Sequence, residues 1–169
     1  MALNAQILLS ILAHESSSGD ISQTLRATPA TYSLTLGNGT GANQAQVVWS
    51  DSRTIPGGGQ DTVPLRTLAD DRGSVSFTAV KAMYIKNTSA NPVQLALGDD
   101  LQESWASGPG YAVDGGNYGE TNIAAGGCLF FSDPTAGGAA VQQSADTIYI
   151  NGNAGATYEI ILIGEGTVT

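Results

Sequence analysis

A chain of 169 residues fits one ordinary domain and is long enough to bury a core without disulfide or metal staples. Hydrophobic residues make up 41% and charged residues 12%, about half the usual charged share of roughly 25%. The net charge of −9 argues against nucleic acid and against an anionic membrane as partners, because both need a basic footprint.

The chain order begins with an uncharged stretch. Leu3, Ala5, Ile7, Leu9 and Ile11 alternate as a strand does, although Leu8 and Leu12 would also fit a helix face. The absence of charge favours strand. No Lys or Arg precedes Arg26, so the segment lacks the basic start of a signal peptide and is expected to belong to the folded protein. His14–Gly19 reads as a polar turn and residues 21–26 as a further strand. Tyr32–Leu36 alternates cleanly, and Gly37–Gly41 supplies a tight turn. Gln44–Ser50 is the next strand, followed by the open Pro56-Gly57-Gly58-Gly59 loop. Thr62–Arg66 is short, and Pro64 predicts an edge position because proline has no N–H to donate.

Ser74–Thr78 and Val80–Asn87 read as two strands, the second forming a hairpin with Pro92–Leu97 across residues 88–91. Residues 99–126 form a long stretch with few apolar side chains. Strands resume at Gly127–Ser132, Asp146–Asn151 and Thr157–Gly164, giving nine or ten strand candidates without a convincing helix. Closely spaced strands divided by turn signals indicate a sandwich or barrel. No repeat and no linker divides the chain, so one domain is expected: residues 1–30 as an N-terminal strand or arm region, then a sandwich over 31–169.

Charge is uneven along the chain. All six Lys and Arg residues lie in the first 86 positions, where six carboxylates balance them. The remaining 83 residues carry nine carboxylates and no Lys or Arg, so the net charge belongs to that half. An acidic surface that aids solubility accounts for this; the alternative is that the acidic pole faces solvent while the neutral half docks on a partner.

No constellation of catalytic residues stands out. Cys128 is the single cysteine and His14 the single histidine, far apart in sequence; Cys128 is expected to be a small buried hydrophobe. The glycines at 37–41 precede a strand, whereas a phosphate loop would open a helix. Asp99, Asp100, Glu103, Asp114, Asn117 and Glu120 offer oxygen atoms that suit Ca²⁺ but lack EF-hand spacing, so a solvated loop is the expectation. No acid/base carboxylate pair can be singled out for glycoside chemistry. The chain therefore reads as a non-enzyme without a cofactor or metal. Trp105, Tyr111 and Tyr118 lie among Gly, Ser and Asn, a composition that suits either an adaptable contact surface or rings pinning the loop to the sandwich. Trp49, Asp51 and Arg53 close the Gln44 strand as candidate partner contacts, with Asp51 and Arg53 able to pair with each other or with a neighbouring subunit.

One set of motifs resembles a known family. Gly39-Thr40-Gly41-Ala42-Asn43-Gln44-Ala45, a short strand ending in Trp49-Ser50-Asp51-Ser52-Arg53-Thr54, a Gly-rich loop and Asp61-Thr62-Val63 resemble small virion proteins of tailed bacteriophages. Residues 77–87 are similar to their central strand; Ala140-Val141, Asp146-Thr147-Ile148 and Thr157–Gly164 are similar to their C-terminal strands. The likeness covers about residues 31–165 and departs at residues 99–126 and in the first 30 residues. It implies a β-sandwich on the virion surface that decorates and cements a capsid, without catalysis, with the major capsid protein as partner. A homo-oligomer is expected, a trimer being one candidate. Together these readings predict an all-β, jelly-roll-like sandwich of about 8–10 strands. The alternative function is a carbohydrate- or receptor-binding module using the aromatic loop at residues 104–120, with glycan as ligand.

Overall fold

The computed structural model describes residues 2–17, 23–26, 28–97, 105, 107–109 and 119–169. The described residues are all-β, and their strands are more numerous than expected because several short ones flank the long ones. In chain order they begin with β1 (Ala5–Ile11), β2 (His14–Ser17), β3 (Gln23–Arg26), β4 (Ala30–Asn38) and β5 (Gln44–Ala45). Then come β6 (Val47–Thr54), β7 (Gln60–Pro64), β8 (Leu68–Asp70), β9 (Gly73–Asn87) and β10 (Val93–Leu97). The last are β11 (Gly119–Ile123), β12 (Cys128–Ser132), β13 (Ala139–Ala140), β14 (Thr147–Gly152) and β15 (Thr157–Val168).

β2 pairs with β3 in a sheet of its own, where His14–Gly19 was expected to be a polar turn; the other strands stack in three layers. The middle layer has the order β12-β9-β15-β6, with β8 and β13 also paired to β9. On one face lies the sheet β11-β10-β14-β7, and the two close over a core of Val47, Trp49, Val63, Phe77, Met83, Ile148, Ile150, Tyr158 and Leu162. On the other face lies the small sheet β1-β4-β5, whose Leu34, Leu36 and Ala45 meet Ala82 and Ile163 of the middle layer. Neighbouring residues such as Ala82 and Met83 thus serve opposite faces, as strand geometry requires. Pro64 does end an edge strand, β7.

Two expectations are corrected here. The segments at Ser74–Thr78 and Val80–Asn87 are one strand, β9. Its core-facing residues Val75, Phe77, Val80, Met83 and Ile85 break strict alternation because the pairing with β15 shifts register twice. Val80 pairs with Gly164 and Ala82 with Ile163, so Lys81 is an extra residue; Thr78 is extra in the same way. Each bulge re-phases the strand by one position. Gly164 makes room for the first: a Cβ there would collide with the Ala79 carbonyl oxygen.

The hairpin between β9 and β10 does not form either. β10 pairs with β11 and β14, in the opposite layer. The buried Asn87 turns the chain between layers. Its amide donates to Asn91 O at 2.7 Å and Ile123 O at 3.0 Å, and its Oδ1 accepts from Ser89 N at 2.9 Å and Ser89 Oγ at 2.8 Å. The side chain satisfies the backbone groups that a hairpin partner would otherwise pair.

Candidate functional site

The sequence alternation that makes β1 a strand also makes it apolar on its inner face. The antiparallel β1–β4 register sets Ala5 against Leu36, Ile7 against Leu34, Leu9 against Tyr32 and Ile11 against Ala30. This row runs off the edge of the middle layer. On β4, exposure rises from 0% at Leu36 through 6% at Leu34 to 37% at Tyr32. On β1, Leu9 is 45% and Ile11 60% exposed. Leu8, on the opposite face of β1, is 71% exposed, and Leu12 beyond the strand is 68% exposed.

The overhang is held at its root. Tyr32 Oη lies 2.7 Å from Ser132 Oγ, and its ring tilts against Phe130 at a centroid distance of 5.8 Å. Between the ribbon and the middle layer runs a groove of about 300 Å³, walled by Ile7, Leu9, Tyr84, Cys128, Phe130 and Ile161. Cys128 is exposed, contrary to the expectation of burial. It begins β12, an edge strand, and lines the open groove beside the ribbon. Burial raises the Tyr84 phenol above its ordinary 10.0, and the neighbouring Cys128 adds to the effect.

Trp49, Asp51 and Arg53 lie on β6, the other edge of the middle layer. Alternation puts all three on one face, which is buried at Trp49 and open at Asp51. Trp49 is a core residue, its Nε1 donating to Ala69 O at 3.0 Å, so it offers no ring to a partner. Asp51 is exposed and accepts from Arg53 Nη1 at 3.2 Å. Arg53 also forks onto Asp61, with Nε to Oδ2 at 2.7 Å and Nη2 to Oδ1 at 2.8 Å. Tyr158 Oη donates to the same Asp61 Oδ2 at 2.7 Å. Burial pushes the Asp61 carboxyl up, but the bonds from Arg53 and Tyr158 outweigh it and hold it below its ordinary value. The hydrogen bond to Asp61 raises Arg53, while burial, then Asp61, raise Tyr158. The pairing of Asp61 with Tyr158 carried no sequence signal, because 97 residues separate them.

Trp105 is fully buried. Its Nε1 donates to Ala140 O at 2.9 Å, its backbone N to Thr147 O at 2.9 Å, and its ring meets Phe131 edge-on at 6.1 Å. It pins its loop to the sandwich and is no contact ring. Tyr111 and Tyr118 lie outside the described residues, as do Asp99, Asp100, Glu103, Asp114 and Asn117. The stretch at residues 99–126, where no strand was expected, contains β11. Lys81, the bulged residue of β9, is buried and aims its ammonium at the carbonyls of Thr135 and Ala136, the latter at 2.9 Å. Glu165 Oε1 lies 2.8 Å away as an ion pair without an aligned hydrogen bond.

No family model matches this sequence, and comparison with curated proteins and with solved structures finds no match.

Proposed function

We propose that this chain is a non-enzymatic virion structural protein that sits on the surface of a bacteriophage capsid and stabilises the shell. The major capsid protein would be its partner, and no cofactor takes part. The observation that carries the reading is the uncharged β1–β4 ribbon, which presents Leu9 and Ile11 beyond the layer it is anchored to. Exposed apolar surface of this kind marks a protein contact. Among the described residues, buried polar groups have structural partners: Arg53 and Tyr158 on Asp61, Lys81 on the turn at residues 135–136, and Asn87 on the interlayer crossing. The motif set at residues 39–63 supports the same role.

Glycan binding through the aromatic loop has less support, because Trp105, one of its three rings, is engaged in the core. The test is the protein content of purified particles of the phage that encodes the chain. Copies in a simple ratio to the capsid protein are expected; absence from the particles would sink the reading.

A further inference from the structure

The free edge of β1 has an unusual property. Among the described residues, β1 pairs on one side only, with β4. It contains no charge, no proline and no bulge, the devices by which exposed edges normally avoid pairing. β6, a long edge of the middle layer, does carry such guards in Asp51 and Arg53. An edge left open in this way is a template for another strand.

The sequence of β1 identifies that strand. Ala5-Gln6-Ile7-Leu8-Leu9-Ser10-Ile11 matches itself when reversed about Leu8. An antiparallel copy centred there sets Leu8 against Leu8, Ile7 against Leu9, Gln6 against Ser10 and Ala5 against Ile11. Every cross-strand pair is then apolar with apolar or polar with polar. A slip by one residue would set Ile7 against Leu8 and Gln6 against Leu9, mixing both classes and turning inner-face residues outward. We propose that β1 is a homodimerisation strand: two copies of this chain pair their β1 edges antiparallel about a two-fold axis at Leu8, giving a continuous β4-β1-β1-β4 sheet. The inner row of each ribbon, Ile7, Leu9 and Ile11, would then lie beside its counterpart in one apolar strip. No charge lies within β1 to oppose the approach of two acidic chains. The inference does not depend on the capsid reading, since it concerns the isolated protein.

The test uses the full chain and light scattering behind size exclusion. The wild type should show a concentration-dependent dimer. Leu8→Lys puts two ammonium groups opposite each other at the axis and should weaken the dimer by about tenfold or more. Leu8 is 71% exposed, so the variant should keep the wild-type circular dichroism. Register is read by crosslinking in a Cys128→Ser background. Leu8→Cys should oxidise readily to a covalent dimer, because residues directly opposite bring their Cβ atoms within disulfide reach. Gln6→Cys should not, because its counterpart lies several residues along the partner strand. A monomeric wild type, a dimer indifferent to Leu8→Lys, or equal crosslinking from both cysteine variants overturns the proposal. A chain absent from particles but dimeric through β1 would sink the capsid reading alone.

Discussion

Asp61 connects two distant parts of the chain through one carboxylate. Arg53 approaches from β6 and Tyr158 from β15, and both bond to the same side chain on β7. Replacing Asp61 with Ala leaves a half-buried guanidinium and a buried phenol without their acceptor, which should cost about 2 kcal/mol in urea unfolding, discounted for the exposure of Arg53. Its titration gives a direction as well. The folded carboxyl lies below its ordinary 3.8, so the unfolded chain takes up the proton first as pH falls. The stabilisation is therefore complete near neutrality and is lost as pH drops below about 4. Tyr158→Phe removes one of the bonds that depress Asp61, so its stability should fall less steeply along the acid limb than that of the wild type. Equal acid limbs for the two proteins would refute this assignment. The pairing of Arg53 with Asp51 was legible from sequence because they are neighbours on one strand face. Asp61 was not, since only the folded sheets bring β6, β7 and β15 to one place.

At the scale of the element, β9 decides the architecture. Its two bulges keep Phe77, Val80 and Met83 on one core despite uneven spacing, and they aim Lys81 into the turn at residues 135–136. Gly164 tolerates the close approach at the Lys81 bulge, as Gly166 does at the Thr78 bulge. Gly164→Ala should destabilise the protein by about 1–3 kcal/mol, as overpacked sites do, whereas Thr167→Ala at the exposed end of the same strand should change it little. A neutral Gly164→Ala would mean that the register shift is not held by this contact. Strand existence was largely legible in the sequence, because alternation and turn residues are local signals. Partner choice was not. Pro64 announced an edge, since a missing N–H is a local fact, but the hairpin expected after Asn87 gave way to an interlayer crossing built from one buried amide.

At the scale of the molecule, three layers leave one ribbon uncovered. The closed layers account for the buried cores, and the ribbon accounts for the exposed Leu8, Leu9, Ile11 and Leu12. That surface was half legible. The alternation of residues 3–11 gave the strand, but only the drop in burial along β4, from Leu36 to Tyr32, shows that the ribbon outruns its support. The aromatic rings that looked like contacts in the sequence include Trp49 and Trp105, which are core residues with satisfied indole N–H groups. A Trp in a Gly-rich loop has the same local sequence whether it faces solvent or plugs the sandwich.

The capsid-decoration reading is tested most directly by electron microscopy of intact particles from the phage that encodes the chain. The expected result is density for the three-layer body at symmetry-related positions on the outer shell, with the β1–β4 ribbon covered by a neighbouring molecule. Particles whose shells lack this density would contradict it, as would a chain bound there with Leu9 and Ile11 still facing solvent.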